Sequence, residues 1–345
     1  MRATGITFIT GYPGFIGKRL VEKLVGQGRR VSCLIEERFR EAATKHARAL
    51  PSGAVKLVAG DITQEGLAIE PKARASLQRT ITDVYHLAAI YDLTVAHDVG
   101  ERVNVQGTQN VLDFCASLKK LRRLNYVSTC YVSGDRRGMV FEEELDKGQG
   151  FKNHYEETKF RAEKLVRERA SEIPASIFRP SIVVGDSVTG ETDKFDGPYM
   201  TFAAIRQGLM ILTPGRGEVP INLVPVDFVV DCLATIPGID GTEGKTFHLA
   251  DPDPVTVIEV CRLVSDRMGV PRPLGHYPPR LLKMVLAIKP ISDLLGIPQE
   301  TVVYFNHQVV YDCTNTVRAL RATQVSCPPL KSYLNNLLRF YLDIK

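Results

Sequence analysis

The stretch Ile6-Thr7-Phe8-Ile9-Thr10-Gly11-Tyr12-Pro13-Gly14-Phe15-Ile16-Gly17 decides how this chain of 345 residues folds. Its first half is a short apolar run, the pattern of a strand covered on both faces. Its second half spaces glycines at 11, 14 and 17, and residues 15–26 continue with helical periodicity. Strand, glycine turn and helix in that order form the context of a dinucleotide-binding turn. The glycines let the backbone turn tightly, approach a pyrophosphate and pack helix against strand. The helix start adds unpaired N–H groups and partial positive charge for the phosphates. Thr10, Gly11, Tyr12, Pro13, Gly14, Phe15, Ile16 and Gly17 are therefore the first expected cofactor contacts.

Working outward, further strands are expected at 30–35, 55–59, 84–88, 124–128 and 175–178. Helices are expected at 15–26, from Asp98 to Ser117, and at 155–170. Strands alternating with helices imply crossover connections and a parallel sheet with both faces covered. After Arg179-Pro180 the pattern loosens, and residues 186–220 are rich in Gly, Pro and Asp. The apolar stretch 199–212 within it marks a packed substrate-side loop. Val224-Pro225-Val226-Asp227 is expected to open a helix through Leu233, with a late strand at 246–249. Another helix is expected at 256–268, with Thr256 as its cap. Prolines 271, 273, 278, 279, 290 and 298 break the remainder into several short helices. The fold class is α/β: a Rossmann-type doubly wound parallel sheet with a smaller, mostly helical C-terminal substrate-binding portion. The expected division is 1–185 with 220–250 for the dinucleotide, and 186–219 with 251–345 for substrate.

Other residues should complete the cofactor site. The second strand ends in Ile35-Glu36-Glu37-Arg38, where the adenosine ribose should lie. A carboxylate at Glu36 favours a free 2′-OH, whereas Arg38 and Arg40 favour a 2′-phosphate, so NAD and NADP both stay open. Asp61 and Ile62 follow the third strand, and Asp61 is either an adenine contact or a turn residue. His86-Leu87-Ala88-Ala89 ends the fourth strand, and its small residues, with Leu87, Ala88 and Ala89 as contacts, let the backbone close on the cofactor. Asn104 lies in a helical pattern, where a buried amide needs partners and could tie neighbouring strand ends together.

The chemistry should come from three side chains. Ser128 and Thr129 end the fifth strand, at the edge where ligands bind in such sheets. Thr129 can donate a hydrogen bond to a carbonyl, with Ser128 as the second candidate. Tyr155 and Lys159 follow at i and i+4, on one helix face. A neighbouring ammonium should lower the phenol's pKa, letting Tyr155 act as proton donor to a carbonyl being reduced. Alone, a Tyr-x-x-x-Lys pair on a helix is ordinary surface. After a dinucleotide turn and a strand-end hydroxyl, it points to hydride transfer.

Composition narrows the classes. Net charge is +5, mild for a nucleic-acid-binding protein. The densest basic run, Lys119-Lys120-Leu121-Arg122-Arg123, fits a solvated helix end better than a polyanion site. The seven cysteines show no regular spacing, which favours a reducing compartment and no disulfide framework. The seven histidines form no metal-binding spacing, so no metal is expected. No apolar run reaches the ~20 residues of a membrane span, and no signal peptide is read at the start, so the expected location is the cytoplasm. The apolar stretch 280–289, flanked by cations, reads as a helix covering a greasy pocket or as a peripheral membrane contact.

These motifs resemble the extended short-chain dehydrogenase/reductase superfamily over most of residues 5–250. Arg179-Pro180-Ser181-Ile182-Val183-Val184-Gly185, Thr189-Gly190, Asp196-Gly197 and Val224-Pro225-Val226-Asp227-Phe228-Val229 look closest to its fatty acyl-CoA reductase and thioester reductase branch. The resemblance gives Thr129, Tyr155 and Lys159 the catalytic roles and adds Arg179, Pro180 and Ile182 to the cofactor contacts. It implies NAD(P)H-dependent reduction of an acyl thioester to an aldehyde or alcohol. The acyl group would arrive on CoA or on a separate carrier protein, and the enzyme would be a monomer or a homodimer. Glu36 departs from the arginine common at that position in the branch. A ketone/alcohol oxidoreductase resembling hydroxysteroid or dihydroflavonol enzymes is the rival reaction. A non-catalytic dinucleotide-sensing protein is the rival class, and Tyr155 argues against it.

Overall fold

The computed structural model describes residues 5–91, 96–215, 217–278, 280–281, 284 and 304–344. The first half runs β1 (Ile6–Thr10), α1 (Phe15–Gly26), β2 (Arg30–Ile35), α2 (Arg40–Arg48) and β3 (Val55–Ala59). It continues with α3 (Pro71–Thr80), β4 (Ile81–His86), α4 (His97–Gly100), α5 (Gly107–Ala116) and β5 (Arg123–Val127). Next come β6 (Gly138–Val140), α6 (His154–Glu168), β7 (Ala175–Pro180) and β8 (Ile182–Val184). Then follow α7 (Pro198–Arg206), β9 (Leu212–Pro214), β10 (Leu223–Pro225), α8 (Val226–Thr235) and β11 (Thr246–Leu249). The rest is α9 (Val257–Met268), β12 (Gly275–Tyr277), β13 (Val309–Tyr311), α10 (Thr314–Leu320) and α11 (Leu330–Ile344).

Seven strands form one parallel sheet in the order β3-β2-β1-β4-β5-β7-β11. The direction of winding reverses between β1 and β4. A crevice opens beyond the carboxyl ends of strands at such a point. One face packs on α1 and α8, through Leu20, Leu24, Val229 and Leu233. The other packs on α3, α5 and α6, through Leu77, Val111, Leu112 and Ala162. A further core joins α7, α9 and α11, through Phe202, Val260, Val264, Leu334 and Leu337.

Several boundaries differ from the sequence reading, for physical reasons. Strand β4 starts at Ile81 and stops at His86, short of Ala88. Helices α2 and α3 have no apolar stripe to announce them: within them only Ala43 and Leu77 are buried. Glu70 caps α3 by accepting from the Lys72 and Ala73 N–H groups. The stretch from Asp98 to Ser117 is interrupted by a π-helical segment, Glu101–Gln106. Arg123 belongs to no solvated helix end; it opens β5, is buried, and donates to Thr242 Oγ1 at 2.9 Å. Pro279, Pro290 and Pro298 lie outside the described residues, and beyond them the chain forms β13, α10 and α11. Helix α11 runs 15 residues and buries Leu330, Tyr333, Leu334, Leu337, Leu338 and Tyr341, a 3–4 residue stripe worth about 1.5–3 kcal/mol per large apolar side chain. Thr256 caps α9 in a capping box with Glu259, as expected. Most of the stretch 280–289 lies outside the described residues. Among the described residues no helix is long and apolar enough to cross a membrane.

Candidate active site

The site begins where β1 and β4 end side by side. Thr108 Oγ1 donates its one hydrogen to Asn104 O at 2.6 Å, so it can only accept from His86 Nε2 at 3.1 Å. That places the imidazole proton on Nε2 and leaves Nδ1 to accept from Thr10 Oγ1 at 2.7 Å. Thr10 Oγ1 in turn accepts the Ala88 N–H at 3.2 Å. Burial, helped by nearby Lys159, pushes the His86 pKa down to about 3 and keeps the ring neutral. This chain of bonds fixes the strand ends beside the glycine turn.

The turn has no room for side chains where glycines stand. Gly11 has φ +87°, and a Cβ there would lie 2.7 Å from Ala88 N. A Cβ on Gly17 would lie 2.4 Å from Gly11 O. No side chain caps the start of α1 and no acid stands in its first turn. A helix N-terminus left open beside a closely packed glycine turn fits a dinucleotide pyrophosphate. Tyr12 lines the crevice but sends its hydroxyl away, to Ala43 O at 3.1 Å and His46 Nδ1 at 2.8 Å.

A cleft of about 600 Å³ runs from this turn across the strand ends. It brings together Thr10 to Gly17, Glu36, Ile62, Leu87, Ala88, Ala89, Thr129, Tyr155, Lys159, Pro180 and Ile182. Two expected contacts lie elsewhere. Asp61 is absent from the lining and uses Oδ1 to accept the Thr63 N–H at 2.8 Å, as a turn aspartate does. Arg179 is 1% exposed, and its guanidinium grips both oxygens of Glu163 at 2.6 and 3.0 Å. It also donates to Glu144 O at 2.7 Å, so the side chain is committed to a buried ion pair. The lining includes Arg38, weighed from the sequence as a 2′-phosphate partner, and adds Tyr91, Tyr131, Thr192 and Lys194, to which no sequence pattern pointed.

Tyr155 and Lys159 share the first turns of α6, capped by Asn153, whose Oδ1 accepts the Glu156 N–H at 3.0 Å. Lys159 is 3% exposed and donates to Val127 O at 2.8 Å and Tyr126 Oη at 3.1 Å. Burial lowers its pKa to about 8, against the opposing pull of Glu163. Tyr155 is 7% exposed, with its ring edge-on to Tyr91 at 5.1 Å. Burial and Tyr91 push its pKa up, while a hydrogen bond with Thr129 works against them. The expected lowering of the phenol by lysine is thus corrected: desolvation dominates, and the Tyr155 phenol is held in its protonated form. Thr129 accepts the Tyr131 N–H at 3.3 Å and donates to Pro180 O over a long 3.4 Å. Ser128 also lines the cleft.

Asn104, carried by the π-helical segment, accepts the Ile90 N–H at 2.9 Å and donates to Thr158 Oγ1 at 3.0 Å. It ties the segment after β4 to helix α6, instead of joining two strand ends. Elsewhere, His97, His154 and Glu157 bring metal-ligating atoms close together.

A crevice at the reversal of an all-parallel sheet, with a tyrosine and lysine facing a dinucleotide turn, is the architecture of NAD(P)-dependent oxidoreductases of the extended short-chain dehydrogenase/reductase superfamily. Sequence comparison narrows this. The profile described as male sterility protein, an NAD-binding family, matches residues 9–233, and the chain belongs to that family. Fatty acyl-CoA reductase wat of Drosophila melanogaster is 28% identical over 271 residues, 66% of this chain and 52% of its own. Nonribosomal peptide synthetase asaC of Aspergillus flavus is 25% identical over 352 residues, 92% of this chain and 34% of its own. The chain thus spans about half, or less, of these relatives' lengths. Among solved structures, the terminal R domain from the myxalamid PKS-NRPS biosynthetic pathway superposes with a TM-score of 0.86 at 26% identity, covering 99% of this chain and 91% of that one.

Proposed function

We propose that this chain reduces an acyl thioester, with the acyl group carried on CoA or on a carrier protein, to an aldehyde. The observation that carries the reading is the convergence of Tyr155, Lys159 and Thr129 in the cleft that also holds the glycine turn. The similarity to a fatty acyl-CoA reductase and to a terminal R domain supports the thioester as substrate class. Gly11, Gly14, Gly17 and the start of α1 would hold the pyrophosphate, and Glu36 with Arg38 the adenosine ribose. A nicotinamide dinucleotide bound there supplies a hydride to the acyl carbon.

The protein's own residues supply the rest. Thr129 orients the carbonyl oxygen through a hydrogen bond. Tyr155, kept neutral by burial, gives its proton to that oxygen as the carbon is reduced. Lys159 then faces the phenolate and stabilises it until water reprotonates it. The product of this step is a hemithioacetal. Its C–S bond breaks, the oxygen loses its proton, and the sulfur leaves as thiol, which yields the aldehyde. Glu36 accepts from Arg38 at 2.8 and 3.1 Å. In this reading the pair sets the preference between NAD and NADP: Glu36 recognises a free 2′-OH and Arg38 a 2′-phosphate. The division of the chain into dinucleotide and substrate portions belongs to the same proposal, with α7, α9 and α11 forming the core of the latter.

Long-chain acyl-CoA offered with NADPH or NADH tests the reaction. Free thiol and aldehyde should appear in step with cofactor oxidation. Cofactor oxidation on a hydroxysteroid or ketone, without thiol release from any thioester, would reject it in favour of the ketone/alcohol reaction.

A further inference from the structure

Two histidines and a glutamate face one another outside the cleft. His154 and Glu157 stand three apart in the first turn of α6, on one helix face. His154 Nδ1 lies 3.7 Å from Glu157 Oε2. His97 opens α4, and its ring stands edge-on to His154 with centroids 5.1 Å apart. One ligating atom from each residue lies within 4.8 Å of the other two. Ligands on a tetrahedral zinc ion, with bonds of about 2.0–2.2 Å, stand about 3.4 Å from one another. Small side-chain rotations close the observed set to that separation. The two histidines are exposed and Glu157 is half-buried, so those rotations meet little packing resistance.

The donor set selects the ion. Two imidazoles and one carboxylate suit a borderline divalent metal, whereas calcium and magnesium favour sites built of oxygen. Three protein ligands leave one position for water. The geometry points to a binding site for a divalent first-row transition ion, with zinc as the leading candidate, formed by His97, His154 and Glu157. The ion joins α4 to the first turn of α6, the turn that carries Tyr155. The reaction proposed above uses none of the three side chains, so the metal site stands or falls separately from it. Sequence spacing did not reveal it, because His97 lies far from the other two along the chain.

The test is calorimetric titration of the full chain with zinc sulfate, paired with thermal melts and with optical spectra after cobalt(II) addition. The wild type should bind one equivalent, melt at higher temperature with zinc, and give tetrahedral cobalt bands. His97→Ala and His154→Ala should each bind at least roughly tenfold more weakly and lose the thermal shift. Their metal-free melts should match the wild type, because both side chains are exposed. Tyr155→Phe should keep full metal binding. Absence of zinc binding in the wild type would overturn the assignment. So would unchanged affinity in His97→Ala, which would place the ion on other groups such as Cys327, the least buried of the cysteines.

Discussion

Lys159 is an ammonium held inside the protein by two oxygens, Val127 O and Tyr126 Oη. With its pKa lowered to about 8 by burial, it loses its charge as pH rises through that value, while Tyr155 stays protonated. For the free enzyme, kcat/KM should therefore fall as pH rises through about 8, and Lys159→Arg should remove that limb at a reduced plateau. A flat wild-type profile between about pH 7 and 9.5 would contradict the assignment. At the far end of the cleft, Arg38→Ala should weaken NADPH relative to NADH by roughly tenfold, and Glu36→Gln should shift the ratio the other way. Equal effects on both cofactors, read from their dissociation constants, would remove the pair from the ribose site. Tyr155 and Lys159 were legible because i and i+4 share a helix face. The oxygens that hold Lys159 were not, since strand β5 lies more than thirty residues away. The Arg179 assignment failed for a similar reason: its partner Glu163 is local to another element, and only the fold shows the arginine turned from the cleft.

At the scale of elements, the turn and the π-helical segment do most of the positioning. Gly17→Ala would force a Cβ to 2.4 Å from Gly11 O, costing about 1–3 kcal/mol as overpacking and sharply weakening nucleotide binding. Thermal melts and a cofactor titration check both effects. Asn104→Ala would leave the Ile90 N–H without its acceptor and Thr158 Oγ1 without the Asn104 donor, a loss of about 1–3 kcal/mol. Because Thr158 lies between Tyr155 and Lys159 in sequence, kcat should fall more than the cofactor dissociation constant rises. The reverse ranking would make Asn104 a cofactor contact instead. The strand–turn–helix unit was readable because strand hydrophobicity, glycine spacing and helical period agree. The π-helical segment was hidden by a pattern that reads as plain helix, and α2 and α3 by polar surfaces.

For the whole molecule, the C-terminal residues return to the first half of the chain. Strand β13 pairs with β6, and α10 is anchored by Glu142, whose carboxylate accepts from the His248 N–H, the Asn315 N–H and Thr316 Oγ1. Burial raises the Glu142 pKa to about 7, despite those donors. A carboxyl raised in the folded state contributes most below its unfolded pKa, and that contribution is lost as pH rises through about 7. The stability advantage of wild type over Glu142→Gln should therefore shrink between about pH 5 and pH 8, as read by guanidinium unfolding. A growing advantage would reverse the assigned direction. The parallel sheet was legible because each strand carries its own apolar run. The pairing of β6 with β13 was not, because contacts between segments so distant leave no local period.

The most direct measurement compares wild type with Tyr155→Phe for two quantities on the same protein: the dissociation constant of the nicotinamide cofactor, and the rate of thiol release from acyl-CoA. With Tyr155 as the proton donor, the variant should bind cofactor as the wild type does and release thiol at least roughly 100-fold more slowly. Undiminished thiol release by the variant would contradict the account.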